Sequence, residues 1–442
     1  MTEMAWIEGA LIAARPRVLS ALLRYFRDLD VAEEAFQEAC LRALRTWPVK
    51  GPPRDVTAWL ILVGRNAALD GARRRARERP LPDEAEISSL EDAETSLAER
   101  LDDGHYRDDI LRLLFVCCHP DLPDTQQIAL ALRIVSGLSV PEIARAFLVS
   151  ETAMEQRITR AKARVAKGNV AFEAPTAADR AGRLAAVAAM IYLVFNAGYS
   201  TLAATAGERL CEEAVRLGRL LLRLFETEPE VMGLMALMLL QHARRPARLD
   251  AAGEIVLLED QDRDLWDRGA IAEGLALIYK AMRHRRPGSY QIQAAIAALH
   301  ARAGRAEDTD WAQIEALYAS LERHQPSPVV TLNRAVAVSK TAGPAVALDM
   351  LAPLEGRLAG YAYYFGLKGA LLLQLGRPGE AHAAFDRAIA LADDPAQAAH
   401  IRGHLDRLSH QATEAEILPL ASELSRRRRP RGAIPLSKEP TP

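Results

Sequence analysis

The sequence predicts an all-α chain made of several helical units in succession. Ala, Leu and Arg dominate a composition that is 50% apolar, a mixture that favours helices. Apolar residues recur at helical spacing from about residue 5 to residue 78, and a second helical unit covers 110–168. Weak self-similarity of the helical-repeat type continues from 175 to about 410. At 442 residues the chain exceeds one ordinary core, so roughly two to three domains are expected.

The first unit spans 5–79. Leu19, Leu22, Leu23 and Phe26 mark one helix, Ala35, Phe36, Leu41 and Leu44 a second, and Trp59, Leu60, Val63 and Ala67 a third. Trp47-Pro48 through Pro52-Pro53 interrupts the pattern and predicts a loop. Residues 80–109 open on Pro80 and Pro82, hold few large apolar side chains and predict a linker. A second helical unit covers 110–168. After a break at Glu173–Pro175, a helical extension occupies 175–412, and the Arg- and Pro-rich stretch 413–442 predicts a disordered basic tail.

The net charge of −2 conceals a strong pattern. Residues 81–109 contain eleven acids against Arg100 and Arg107. Arg73, Arg74, Arg75, Arg77 and Arg79 precede this strip, and Arg157, Arg160, Lys162, Arg164 and Lys167 come after it. Two basic patches on one chain predict two contacts along one nucleic acid. The four cysteines show no CxxC spacing, so neither a disulfide framework nor a zinc site is expected. Cys117-Cys118-His119 reads as buried thiols at a helix end, because adjacent cysteines cannot easily supply tetrahedral geometry. No metal and no cofactor are expected. Arg15 and Arg17 interrupt the first apolar run, and no segment reaches the roughly 20 apolar residues that cross a bilayer. A soluble cytoplasmic protein with no membrane partner is expected.

The run AEEAFQEACLRALRTW (Ala32 to Trp47) can turn Ala35, Phe36, Ala39 and Ala43 inward and line its other side with Glu34, Gln37, Glu38 and Arg42. It is followed by AWLILVGRNAALDGARRRAR, where Asn66 has both a donor and an acceptor for a base edge. Together the segments resemble region 2 of the extracytoplasmic-function (ECF) sigma factors, whose pattern is D-A-E-D-x-x-Q-E followed by A-W-L-x-x-x-A-R-N-x-x-x-D. The resemblance implies that Glu34, Gln37, Glu38 and Arg42 dock on the β′ clamp helices of core RNA polymerase. It implies that Asn66 receives a flipped −10 base while Arg65, Arg73 and Arg74 hold phosphates. Val31 departs from the pattern's first Asp, which puts that helix's cap in doubt. Trp59 lies on the apolar stripe, which favours core packing over base stacking.

Residues 125–167 carry the second constellation. Ser139 suits an N-cap, Pro141 the first turn and Glu142 the positive end of a helix dipole. Ile143, Ala144 and Phe147 face inward on one helix, and Met154, Ile158, Ala161 and Val165 on the next. Thr152, Glu155, Gln156, Thr159 and Arg160 then share an outer face, the layout of a recognition helix. The segment resembles ECF sigma region 4, S-x-x-E-I-A-x-x-L-G-x-x-x-x-T-V-x-x-R-x-x-R-A-R, through Ile143-Ala144, Arg157, Arg160 and Ala161. Leu148 replaces the turn glycine and Met154 a valine. By position, −35 contacts fall on Thr152, Glu155, Gln156, Thr159, Arg160 and Lys162, and the family's region 4 partner is the polymerase β flap. The family's linker threads the polymerase channel, a role the acidic 80–109 would take, although a solvated spacer reads equally well.

In the last part, YFGLKGALLLQLGRPGEAHAAFDRAIALADDP sets Gly369, Gly376, Ala381, Phe385 and Ala388 at tetratricopeptide-repeat (TPR) spacing, and Ala335 to Leu351 forms a degenerate neighbour. LVFNAGYSTLA, with Asn196, Gly198 and Tyr199, predicts an interhelical turn. Arg244 to Arg268 predicts a salt-bridged loop. The whole resembles the ECF subgroup with a TPR-like C-terminal extension, thought to stand in for a separate anti-sigma factor. The resemblance implies a promoter-specific initiation factor that acts on core polymerase and promoter DNA, with a protein partner on the repeat domain. The alternative is a one-component helix-turn-helix regulator with a TPR-type sensor. No GxGxxG, Walker, GxSxG or HExxH motif argues for an enzyme. A chain ending near Val170 is expected to fold as two small domains.

Overall fold

The computed structural model describes residues 3–77, 110, 113–119, 121–147, 149–167, 177–200, 204–251 and 255–392. The acidic linker, the basic tail, Leu148 and the break at 168–175 lie outside them. Among the described residues the chain is all-α, with one isolated bridge between Leu249 and Ile255. It divides into two compact units: Met1–Ala243 with Arg268–Ala294, and Arg244–Asp267 with Ala295–Pro442.

Unit 1 opens with three packed helices, α1 (Glu3–Phe26), α2 (Leu29–Lys50) and α3 (Val56–Arg77). Leu19, Leu22, Ala35, Phe36, Leu60 and Val63 fill their core. A Cβ on Gly64 would come within 2.8 Å of the Ala35 carbonyl oxygen, so glycine sets how closely α3 approaches α2. Asp28 caps α2 by accepting from the backbone N–H groups of Asp30 and Val31. The departure at Val31 therefore leaves that helix capped.

Two expectations need correction here, and a third holds. The 47–53 stretch is not wholly a loop: α2 runs through Pro48 and ends at Gly51 (φ 82), whose N–H reaches the Trp47 carbonyl. Proline is tolerated because the chain leaves the helix within the next turn. Leu41 and Leu44 are not core residues but lie on the exposed face, 51% and 39% accessible, because the Ala-rich stripe takes the inward positions. Trp59 does pack inward, edge-on to the buried Trp47 at 5.3 Å.

Next come the short helical stretch 113–117, α4 (Asp124–Ala131) and a π-type turn at Leu132–Ser136 that ends on Gly137 (φ 78). They lead into α5 (Val140–Ala146) and α6 (Glu151–Lys167). The chain continues through α7 (Ala177–Ser200), α8 (Ala204–Leu224), α9 (Pro229–His242), α10 (Arg268–Met282) and α11, Ser289–Arg302. The segment expected as one extension, 175–412, is thus split, because α7 packs on α4 and α8 on α5. One continuous buried cluster runs from Ile7 to Leu239. The buried residues of 110–168 thus share their cluster with α7 and α8.

The turn expected at Leu193–Ala203 is instead helical up to Ser200. Gly198 is there for close approach, since a Cβ would lie 2.5 Å from the Gly207 carbonyl oxygen of α8. Residues 201–203 lie outside the described set. The expectation that no segment is long enough to cross a membrane also fails for Ala181–Tyr199 within α7. Its apolar length serves the core, where Val187, Met190, Ile191, Val194 and Phe195 are buried.

Unit 2 contains the helical hairpins α12 (Trp311–His324), α13 (Pro328–Thr341), α14 (Pro344–Leu351), α15 (Ala362–Gln374) and α16 (Pro378–Ala390). Their TPR-like character is local. Phe385 of α16 sits over Gly369 of α15, where a Cβ would meet its ring at 2.9 Å, and Ala381 and Ala388 are fully buried. Gly376 (φ 69) closes α15, and Ala335, Ala347 and Leu351 pack the neighbouring hairpin.

The 244–267 loop is tied in part by backbone acceptors. Arg263 donates to the carbonyls of His300 (2.6 Å) and Ala303 (2.8 Å) and stacks on Trp266 at 4.8 Å. Burial, together with Arg244 and Arg263, lowers the His300 imidazole to about 4. A folded value below the unfolded 6.5 means the unfolded chain binds the proton first as pH falls. Stability is therefore full above about pH 6.5 and is lost progressively down to about pH 4, by about 3 kcal/mol at most. Denaturation followed by Trp fluorescence at pH 7 and pH 4.5 should show this loss, and His300→Gln should flatten it.

Candidate nucleic-acid interface

Ser139 caps α5 as the sequence predicts, and with Glu142 it completes a capping box. The Ser139 N–H and hydroxyl donate to Glu142 Oε2 at 2.8 and 2.7 Å, and the Glu142 N–H donates to Ser139 Oγ at 3.4 Å. Hydrogen bonds from the Ser139 side chain and backbone, and then Arg209, hold the Glu142 carboxyl below the usual range. Ile143 and Ala144 are buried, and the Val149 N–H returns to the Ala144 carbonyl to complete the turn into α6.

Helix α6 sorts its side chains cleanly. Met154, Ile158, Ala161 and Val165 are buried, while Thr152, Glu155, Gln156, Thr159 and Arg160 are exposed. Lys162 stands apart from this outer face. Its Nζ donates to Asp30 Oδ1 at 2.7 Å and Glu33 Oε2 at 2.8 Å, both on α2. Burial pushes its ammonium down, but these two hydrogen bonds outweigh it and leave the pKa raised.

On α2, Glu34 and Gln37 are exposed, and Glu38 and Arg42 are half-buried and joined at 3.2 Å. Leu41 and Leu44 widen this face with apolar surface. On α3, Asn66 is half-buried and Arg65 lies over the Tyr25 ring at 5.7 Å. The side chains of Arg73 and Arg74 lie outside the described residues.

Sequence reasoning missed the most constrained charge in the unit. The Glu33 side chain is only 6% exposed, and three cations converge on it: Lys162, Arg133 at 3.1 Å and Arg15 at 3.6 Å. Arg15 also donates to the carbonyls of Ile134 (2.9 Å) and Arg133 (3.1 Å), and it stacks on Phe36 at 5.0 Å. Gly137 has no room for a side chain there, since a Cβ would lie 2.8 Å from Arg15 Cδ. A signal did exist in the sequence. Glu33 falls on the inward stripe with Leu29 and Phe36, at i−4 and i+3, where a carboxylate needs a buried partner.

Cys117 and Cys118 are buried, and burial raises both thiols, Cys118 to about 12. Such thiols are poor nucleophiles and ligands at neutral pH.

Comparison with known families agrees with this geometry. Residues 11–78 match the sigma-70 region 2 family, 112–165 the sigma-70 region 4 family, and 183–282 a family of unknown function, DUF6596. A curated relative, an uncharacterized protein of Rhizobium meliloti (strain 1021), is 67% identical over 419 residues, 94% of this chain and 99% of its own length. The crystal structure of the yeast Tom70 aligns with 95% of this chain and 88% of its own at 10% identity; its TM-score of 0.36 is too low to carry an argument. Two sigma-70 regions in this order mark a sigma or sigma-like transcription factor, a class that works with RNA polymerase and promoter DNA. The chain belongs to the sigma-70 family, as an ECF-type sigma factor with a C-terminal helical extension.

Proposed function

We propose that the chain binds core RNA polymerase and directs promoter-specific initiation, under the control of its C-terminal extension. The observation that carries this reading is the sorting of α6 into a buried face and an exposed polar face behind a capping box. Thr152, Glu155, Gln156, Thr159 and Arg160 read the −35 element, the first of them nearest the base edges and Arg160 on phosphate. Region 4 also meets the β flap. On α2, Glu34, Gln37, Glu38 and Arg42 dock on the β′ clamp helices, with exposed Leu41 and Leu44 adding apolar contact. On α3, Asn66 takes a flipped −10 base, and Arg65, Arg73 and Arg74 hold the backbone. The chemistry is binding and strand opening, without a catalytic group of its own. The extension gates promoter engagement in cis as a positive element and has a protein partner on its repeat face.

Run-off transcription with core enzyme and a promoter library tests the reading. Asn66→Ala and Gln156→Ala should each relax preference at one base position, in the −10 and −35 elements respectively, at about 1–3 kcal/mol per lost contact. DNA binding without core-dependent transcripts would identify a one-component regulator instead.

A further inference from the structure

The faces assigned to polymerase and to DNA line one crevice. Glu34 and Gln37 of α2 and Glu155, Ile158, Thr159 and Lys162 of α6 border a space of about 320 Å³. That volume holds about ten waters. A polymerase helix, about 10–12 Å across with its side chains, does not fit it. A duplex seated on Glu155 and Thr159 would occupy the place of Glu34 and Gln37, and a polymerase helix seated on Glu34 and Gln37 would occupy the place of α6. The pieces share a buried apolar cluster and are also joined by charge. Glu33 gathers Lys162 from α6, Arg133 from the π-type turn and Arg15 from α1, and Asp30 adds a second carboxylate on Lys162.

We propose that this arrangement is a latched state, in which Glu33 and Asp30 of region 2 occupy the recognition-helix cation Lys162 and the two docking faces block each other until the latch opens. The carboxylates take the place a DNA phosphate would have on Lys162. The extension braces the latch, because Arg209 of α8 reaches Glu142 of α5 at 3.3 Å. Arg216, Leu220 and Leu224 of α8 also share a groove with Ala10 and Ala14 of α1 and Val56 of α3. A signal that loosens α8 therefore frees both faces at once. The inference rests on the reading of α2 and α6 as polymerase- and DNA-facing.

The test uses the full chain with Cys40→Ser and spin labels on Arg45→Cys of α2 and Ala166→Cys of α6, both exposed positions. Pulsed distance measurements should give one short population for the otherwise unaltered chain. Glu33→Gln should raise a long-distance population at least tenfold, and Arg133→Gln, which leaves α6 intact, should raise it in the same direction. Affinity for a −35 duplex should rise in parallel, by roughly the same factor. Unchanged distances in both variants, with folding verified by circular dichroism, would overturn the latch. Lengthened distances with no duplex binding by any of these chains would support the latch and refute the DNA-reading role of α6.

Discussion

Glu33→Gln should lower the stability of unit 1 by about 3 kcal/mol, more than any other single charge removal on α2. The carboxylate is almost fully buried, and its loss strands Arg15 and Arg133 beside a neutral amide and leaves Lys162 with Asp30 alone. Like charges confined together are costly, and Lys162 at 19% exposure and Arg133 at 24% can only partly turn to water. Glu34→Gln, one residue away on the exposed face, should stay within about 0.5 kcal/mol of the parent. Reversing charge at Glu34 and Glu38 together should instead weaken co-purification with core polymerase and leave stability nearly unchanged. Urea denaturation of the three variants separates these effects. Equal stabilities for Glu33→Gln and Glu34→Gln would refute the buried-network account.

Ending the chain at Val170 should abolish cooperative folding of region 4. The buried cluster that includes Phe115, Leu130, Leu132, Ile143 and Ile158 continues into Val187, Ile191, Val194, Leu210, Leu217 and Leu221 of α7 and α8. Arg183 of α7 lies over the Phe115 ring at 5.8 Å. A fully buried aliphatic side chain contributes about 1.5–3 kcal/mol, so exposing several together rivals the roughly 5–15 kcal/mol that holds a typical domain. The expected result is a broad, non-cooperative thermal transition by circular dichroism, with poorly dispersed amide resonances. A sharp transition would mean that regions 2 and 4 fold without the extension. Because of this shared core, lost transcription on truncation reports lost folding as well as lost regulation. Point variants such as Arg209→Ala are the cleaner probe of the gate.

The sequence by itself determined the elements whose causes are local. The Ser139 N-cap, the inner stripe Met154, Ile158, Ala161 and Val165, and the repeat spacing of Gly369, Ala381 and Phe385 all arise from residue type and helical period. The outer faces of α2 and α6 were legible for the same reason, since a helix that buries one stripe must expose the opposite one. Only the tertiary structure decided what meets across the chain. Leu41 and Leu44 carry an apolar identity but no address: Ala35, Ala39 and Ala43 share the buried face of α2 with Phe36 and Trp47, and Gly64 sets the close approach at Ala35. Leu193–Ala203 carries turn-like residues, yet Gly198 serves a helix crossing that involves Gly207, nine positions further along. The boundary expected near residue 175 dissolved because the apolar faces of α4 and α5 are completed by α7 and α8. Glu33 shows the limit most clearly. Its partners Arg15, Arg133 and Lys162 are spread over nearly 150 positions, and a periodic pattern reports which face a residue occupies but not which distant charge will stand opposite it.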